Sequence, residues 1–170
     1  MGDPKKSRRQ WQGPRHPWKK DSLIKELSLL GKYGLRNKRE LWIANSTLKS
    51  YRNQASAILA LEESIRVERE KTLIKKLTQQ GLLTEEAVLD NVLGLNVDDI
   101  LERRLQTIVL KLRMAATPYQ ARQFIVHGHV NVGDRRMTSP GYLVSRDEEL
   151  NIRCAINLTA APEQAAVKGA

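Results

Sequence analysis

The chain has 170 residues and only one cysteine, Cys154. A single cysteine forms no disulfide within the chain and cannot supply the set of thiolates that a cysteine-based zinc site requires. Cys154 follows an alternating apolar pattern, and we interpret it as a small, half-buried residue of a late strand. Chemistry that depends on paired thiols in this chain is therefore excluded.

Long apolar runs are also missing. No window approaches the roughly 18 apolar residues that a membrane-spanning helix needs. The first 20 residues, MGDPKKSRRQWQGPRHPWKK, have no apolar core of the signal-peptide type. A share of 41% hydrophobic residues is typical of a soluble, mostly folded protein. We expect a cytoplasmic protein without membrane contact.

Acidic residues are fewer than basic ones: the chain has 19 Asp and Glu and 29 Lys and Arg, which gives a net charge of +10. Such a balance favours polyanionic partners, above all nucleic acid. The positive excess lies in residues 1–52 and 102–170, whereas residues 53–101 hold nine acidic against five basic residues. The charge pattern predicts two contact surfaces joined by a solvated scaffold.

Residues 1–20 combine Lys, Arg, Gly and Pro with Trp11 and Trp18 but show no apolar periodicity. This composition predicts an arm that is disordered alone and becomes ordered on RNA, where cations meet phosphates and Trp stacks on an unpaired base. An alternative stays open, in which the Trp side chains dock on the protein's own core.

Helical periodicity begins near Asp21 and continues to about residue 101. The first helix should stop at Gly31 or Gly34, and a later one at Gly81. Core positions are predicted along these helices, among them Leu59 and Val67. The segment NVDDILERRLQTIVLKLRM, residues 96–114, is predicted to form one helix that buries Leu112 and projects these cations from its other side: Arg103, Arg104, Lys111 and Arg113.

A second helix is marked by its ends. Thr117 is an N-cap, Pro118 takes the first helical position, and Gln120 completes a capping box. Gly128 is the expected left-handed stop. Beyond it the apolar period changes to two, around a turn at Gly133, which predicts short strands that include Tyr142, Val144, Leu150 and Ile152. The fold class is therefore α+β, a mostly helical N-terminal part followed by two helices on a small sheet.

His127-Gly128-His129 invites a metal or catalytic interpretation. A metal site needs a further ligand, and side chains two apart on a strand would point to opposite faces if the strand began at Gly128. Neither an acid nor a nucleophile with suitable spacing accompanies the histidines. We favour a binding role, in which the N-terminus of the capped helix, Arg122 and the Arg103-Arg104 pair meet RNA phosphates.

Residues 103–152 resemble the alpha-L RNA-binding motif in the order of their parts: Arg104-Leu105 opening a helix, a small-residue link, Gln-Ala-Arg at 120–122, and His-Gly-His-Val at 127–130. The stretches GDPKKSRRQWQGPRHPW and YGLRNKRELW and the helical middle resemble the archaeal and eukaryotic branch of the small-subunit ribosomal protein four family. This resemblance covers nearly the whole chain. The chain departs from the family pattern at Gln106, where many members carry Asp, and at Arg113-Met114, where Gly is common.

The resemblance implies a structural constituent of the small ribosomal subunit that is not an enzyme. It implies primary binding to the five-prime domain of small-subunit rRNA, a neighbour in small-subunit ribosomal protein five, proximity to mRNA where it enters the subunit, and a part in assembly and translational accuracy. No cofactor, metal or small-molecule substrate is implied. The alternative is an alpha-L-type RNA-binding protein that acts off the ribosome.

The sequence and the resemblance together predict four parts: a basic arm at 1–20, a helical domain at 21–101, an alpha-L RNA-binding domain at 102–156 and a flexible tail at 157–170. The predicted RNA-binding residues come from the first three parts. They are Lys5, Lys6, Arg8, Arg9, Arg15, Lys19, Lys20, Arg36, Lys38, Arg39, Lys49, Arg52, Arg103, Arg104, Arg113, Thr117, Tyr119, Gln120, Arg122, Gln123, His127, Gly128, His129, Asn131, Arg135 and Arg136.

Overall fold

The computed structural model describes residue 9 and residues 11–84 and 86–155. Within these residues the chain forms eight helices and three short strands. In chain order they are α1 (Lys20–Tyr33), α2 (Lys38–Leu59), α3 (Glu63–Gln79), α4 (Leu89–Gly94), α5 (Val97–Glu102), α6 (Leu105–Lys111), α7 (Pro118–Val126), β1 (Val130–Val132), β2 (Arg135–Met137), α8 (Arg146–Glu149) and β3 (Ile152–Cys154).

Helix α2 is the centre of the helical part. Asn37 begins it by accepting a hydrogen bond from the Glu40 backbone N–H at 3.2 Å. Its buried stripe runs from Leu41 to Ile58 at helical spacing and packs on α1, α3, α4 and α5. In the described part of the chain, no helix combines the length and the apolar character that crossing a membrane would require.

A second core lies under the sheet. The strand order is β2-β1-β3, with both pairs antiparallel. Val130 and Val132 of β1 point into this core, where they meet Leu105 and Ile108 of α6 and Ile125 of α7. The layout of two helices on a small sheet is the one that the sequence predicted.

The predicted single helix over residues 96–114 is wrong. Its backbone breaks at Arg103 and Arg104, because the segment around Leu143 pairs with it as a strand would. The Leu105 N–H donates to the Tyr142 carbonyl at 2.8 Å, and the Val144 N–H donates to the Arg103 carbonyl at 3.0 Å. The chain therefore turns between α5 and α6, which changes the direction of both arginine side chains.

Several predicted strand and core positions are also wrong. Tyr142 and Val144 lie outside the three-stranded sheet, because Leu143 bridges to Arg104 instead. Leu150 is 88% exposed, since the unpredicted helix α8 precedes β3 and carries the chain across the surface there. Other predicted core residues that face solvent are Leu59, Val67 and Leu112.

Four helices end on a residue in the left-handed region, at Gly34, Gly81, Arg113 and Gly128. In each case the backbone N–H groups at and after that residue return to carbonyls of the last turn. The predicted stops at Gly81 and Gly128 are confirmed. For α1 the stop is Gly34, and Gly31 remains inside the helix.

The substitution Gly34→Ala should be strongly destabilising. Gly34 has φ +59°, and an added Cβ would lie 2.6 Å from Pro118 Cβ and 3.1 Å from Gln106 Nε2. Backbone strain and this overlap should together lower the free energy of unfolding by about 3 kcal/mol in urea titrations.

Gly31→Ala is the matched control on the same helix. No atom lies within 4 Å of a Cβ added there, so alanine should stabilise the helix by about 0.5–1 kcal/mol. Equal effects of the two substitutions would contradict the close packing between the end of α1 and the start of α7.

Candidate nucleic-acid interface

Two arginines that are predicted to bind RNA both form ion pairs with one carboxylate, that of Glu40 on α2. Arg104 Nη2 lies 2.7 Å from Glu40 Oε2, and Arg122 Nη2 lies 2.6 Å from Glu40 Oε1. A further bond from Arg122 Nη1 to Oε2, at 3.2 Å, makes that contact bidentate. Arg104 is only 6% exposed. The carboxylate therefore ties α2 to the start of α6 and to α7.

Gln106 completes this cluster. It is 1% exposed, and its Nε2 lies 3.3, 3.0 and 2.9 Å from the carbonyl oxygens of Tyr33, Gly34 and Pro118. Its Oε1 accepts from Arg122 Nη1 at 3.4 Å. We call the four side chains the Glu40 cluster: Glu40, Arg104, Gln106 and Arg122. An amide at position 106 can donate to carbonyls at the end of α1, which a carboxylate in its place cannot do.

The electrostatics of the cluster favour its charged form. Burial alone would raise the pKa of Glu40, but the hydrogen bond from Arg122 and the charges of Arg104 and Arg122 outweigh it and lower that pKa. Burial lowers the pKa of Arg104, and the charge and hydrogen bond of Glu40 oppose the shift. An arginine stays protonated throughout the range in which proteins are stable. The cluster thus holds two cations against one anion in a partly buried site.

Arg103 is also held by protein atoms. Its Nη1 lies 2.7 Å from Glu149 Oε2, its Nη2 donates to the Val144 carbonyl at 2.9 Å, and its guanidinium packs against Gly81. The prediction that Arg103 and Arg104 project from a solvent face is therefore wrong, because the break between α5 and α6 turns them inward. Contact of Arg103 and Arg104 with RNA stays a prediction.

The N-terminus of α7 forms half of the predicted capping box. The Thr117 hydroxyl accepts from the Gln120 N–H at 3.2 Å, which confirms the predicted cap. The Gln120 side chain accepts from the Ala116 N–H at 2.9 Å and not from the Thr117 N–H, so this half of the predicted box is wrong. Contact of this helix end with RNA phosphates stays a prediction.

The His127-Gly128-His129 corner wraps the end of α7. The Gly128 N–H donates to the Ile125 carbonyl and the His129 N–H to the Phe124 carbonyl, both at 2.9 Å. The imidazole rings lie 6.2 Å apart, and the separation onto opposite faces that a strand beginning at Gly128 would give does not apply to them. The reason is that the strand begins at Val130, beyond both histidines. Among the residues that the structure describes, no three His, Cys, Asp or Glu side chains are placed to hold a metal ion.

The exposed side of α7 leads to this corner. Tyr119 and Gln123 stand one turn apart, and His127 follows one turn later, all three open to solvent. Tyr119 is 61% exposed. Arg136 Nη2 donates to the His127 carbonyl at 2.8 Å and joins the helix stripe to the sheet.

The outer face of the sheet carries a row of polar side chains. Asn131 of β1 lies directly opposite Arg136 of β2 and Arg153 of β3, and all three are exposed. Residues directly opposite in neighbouring strands share a face. We call the combined stripe and row the α7–sheet surface: Tyr119, Gln123, His127, Asn131, Arg136 and Arg153. Sequence reasoning missed Arg153, because its partner becomes known only when β3 pairs with β1.

Two family models match the chain. The model described as Ribosomal protein S4/S9 N-terminal domain matches residues 4–102, and the model described as S4 domain matches residues 103–150. The chain belongs to the ribosomal protein S4 family. The family and the α+β class predicted from the sequence are confirmed.

Relatives in this family are named small ribosomal subunit protein uS4. That of Sulfurisphaera tokodaii is 59% identical over 150 residues, which are 88% of this chain and 85% of the relative. That of Ignicoccus hospitalis is 54% identical over 149 residues, covering 88% and 90% of the two chains. That of Hyperthermus butylicus is 53% identical over 149 residues, covering 88% and 85%.

In this S4 family chain the Glu40 cluster joins the two matched regions. Glu40 belongs to the N-terminal region, and the other three members of the cluster belong to the S4 domain. Lys32 and Tyr33 of α1 reinforce the start of α5 through Asp98, at 2.9 and 2.8 Å. The four-part division predicted from the sequence stays a prediction.

Arg113, in the link between α6 and α7 of the S4 domain, has φ +56° and an exposed side chain. It is the one non-glycine residue with positive φ among those described. The other three left-handed helix ends carry glycine, the residue that takes this conformation without strain. The structure thus keeps a cationic side chain at a position where glycine would fit better.

The N-terminal arm meets α2 where it is described. Trp11 lies 5.1 Å from Trp42, centroid to centroid, and the Arg9 guanidinium lies 3.7 Å over the Trp11 ring. Trp11 thus contacts the half-buried Trp42 of α2, whereas Trp18 is 88% exposed. The arm ordered by RNA stays a prediction. Lys5, Lys6 and Arg8 lie outside the described residues, as does the predicted tail 157–170.

The other predicted cations of the S4 protein divide into engaged and exposed side chains. Lys38 pairs with Glu26 at 3.0 Å, and Arg52 donates to the Leu95 carbonyl. The exposed ones are Arg15, Lys19, Lys20, Arg36, Arg39, Lys49 and Arg135. Their contacts with RNA stay predictions.

The variant Glu40→Gln should destabilise the S4 protein by about 3 kcal/mol, because it leaves Arg104 buried without a counter-charge. Because folding lowers the pKa of Glu40 below its ordinary value of 4.5, the stability that its charge supplies is complete above that value. This stability is lost as the pH falls through the folded-state pKa. Urea titrations from neutral pH into acid should show the wild type and the variant converging.

Glu102→Gln is the control for the loss of one carboxylate. Glu102 pairs with Lys111 at 3.0 Å, with about half of each side chain exposed, so its loss should cost less than about 1 kcal/mol. A similar cost for both variants would show that the Glu40 cluster does not bear on stability as described.

Proposed function

We propose that the protein is a constituent of the small ribosomal subunit and binds small-subunit rRNA through its S4 domain. The names of its relatives and its +10 net charge support this role. The observation that carries the proposal is the α7–sheet surface. Its six exposed residues are two arginines, a glutamine, an asparagine, a histidine and a tyrosine, and none of them is acidic.

The chemistry of this surface suits an RNA backbone. Neighbouring strands lie about 5 Å apart, so Arg136 and Arg153 flank the Asn131 amide with roughly equal spacing. Guanidinium groups take phosphate oxygens in bidentate form, and amides can reach a 2′-hydroxyl. Such a row recognises the shape of the RNA and its backbone more than its bases.

The finer role follows from the family resemblance. We propose that the five-prime domain of the rRNA is the primary binding site, that small-subunit protein five is a neighbour, and that mRNA passes nearby as it enters the subunit. The role in the cytoplasm is structural, with effects on assembly and accuracy. Co-sedimentation of the native protein with small subunits after a high-salt wash tests this placement against an RNA-binding role off the ribosome.

Full-length protein should bind a five-prime-domain rRNA fragment more tightly than a three-prime-domain fragment of equal length in filter-binding titrations. Arg153→Gln should weaken this binding and reduce the slope of log affinity against log salt by about 0.7–0.9, the value for one lost phosphate contact.

Arg69→Gln is the matched control, because Arg69 is an exposed arginine on α3, in the acidic part of the chain. It should leave affinity and slope unchanged. Equal binding of the two rRNA fragments would overturn the proposed specificity. If Arg153→Gln leaves the slope of log affinity against log salt unchanged, the row of polar side chains on the sheet is not part of the interface.

Arg113→Gly should separate stability from RNA binding. Glycine relieves the backbone strain of about 1 kcal/mol at this left-handed position, but it also raises the conformational entropy of the unfolded chain. Because the two effects oppose each other, the free energy of unfolding should change by less than about 1 kcal/mol. Affinity for the five-prime-domain fragment should fall several-fold, because the exposed charge is lost. Unchanged affinity would leave the strained conformation of Arg113 without a role in RNA binding.

A further inference from the structure

An open groove of about 530 Å³ lies between the N-terminal arm and α2. Arg9 and Trp11 form one side. Side chains of α2 form the other, namely Lys49, Ser50, Asn53 and Gln54. This volume is within the range of pockets that take small ligands, and the groove is separate from the α7–sheet surface.

The arm side of the groove is held in place by specific contacts. The Gln12 N–H donates to Ser46 Oγ at 3.0 Å, and Lys49 Nζ donates to Gln12 Oε1 at 3.2 Å. Arg9 Nε donates to the Trp11 carbonyl at 3.0 Å, with its guanidinium over the Trp11 ring. Trp42 lies behind Trp11 as a further aromatic contact. Contacts within the chain thus shape the groove.

The lining has the chemistry of a site for an unpaired nucleotide. A guanidinium plane over an indole ring offers a stacking surface for a base. The amides of Asn53 and Gln54 offer donors and acceptors to the edge of a base, and Lys49 offers a charge to a phosphate. No acidic residue is among those that line the groove, so no carboxylate there would repel a phosphate.

We propose that this groove binds one unpaired nucleotide extruded from the RNA, with its base against Arg9 and Trp11 and its edge at Asn53 and Gln54. The proposal rests on the proposed rRNA binding and adds a second contact, on the N-terminal region. The S4 domain then meets RNA backbone, while the groove recognises a single-stranded position.

The test uses the full chain carrying Trp18→Phe, so that Trp11 and Trp42 alone report. Short single-stranded RNA should quench their fluorescence, whereas duplex RNA of the same sequence and AMP should bind at least about tenfold more weakly, since neither joins a free base to a flanking backbone. Equal binding of AMP would mean a small-molecule site, and equal binding of the duplex would mean backbone contact alone. Either result overturns the proposal.

Ala57→Phe fills the end of the groove without removing a charge, because Ala57 lines it and is exposed. We expect about tenfold weaker binding of single-stranded RNA, in line with the loss of one stacked base.

Ser56→Phe is the matched control, because Ser56 is an exposed neighbour that does not line the groove. Asn53→Asp, which keeps the size of the side chain, should weaken binding in the same way if Ala57→Phe fails to fold.

The five-prime-domain fragment separates the two proposals. If the parent protein binds this fragment but Ala57→Phe and Asn53→Asp match Ser56→Phe in every titration, the groove proposal fails and rRNA binding stands. If the parent protein binds no rRNA fragment, the proposed function itself fails.

Discussion

The Glu40 carboxylate is the constraint on which the arrangement of the two halves depends. A single carboxylate near the start of α2 pairs with both Arg104, which precedes α6, and Arg122 of α7. Burying charges is costly, and the cost is recovered only when geometry is good and the remaining polar atoms are satisfied. Gln106 meets part of that second condition by bridging Arg122 to the carbonyls of Gly34 and Pro118. The buried Nε of Arg104 has no hydrogen-bond partner among the described residues. The cluster holds the S4 domain against the helical part.

This constraint changes how the basic charge of the chain should be understood. Arginine density around residues 103–122 suggested a nucleic-acid face, yet the guanidinium groups there mainly hold the protein together. Exposed cationic side chains are found at Arg113, on the outer face of the sheet and in the N-terminal region. Net charge predicts that a polyanion binds, but it does not distinguish an arginine that is paired inside the fold from one that is available.

Local signals predicted from the sequence agree with the structure where the cause is itself local. The Thr117 cap and the Gly128 stop depend on residues within one or two turns, so both were predictable. The break before α6 was not, because it depends on a strand-like pairing of Arg104 with Leu143, 39 positions further along the chain. The partners of Glu40 lie 64 and 82 positions away. The sequence marks these residues as charged but not as neighbours.

Helix α2 links the two proposed contacts with RNA. Glu40 lies in its first turn and Asn53 thirteen residues later, about 20 Å along the axis at the usual rise of a helix. One end of a rigid element thus fixes the S4 domain, and the other end forms the wall of the groove. Two sites held at a fixed distance bind an RNA of matching geometry with less loss of entropy than two sites on a flexible chain. A partly buried ion cluster would then contribute to affinity even without contacting RNA itself, because it sets the spacing between the two proposed sites.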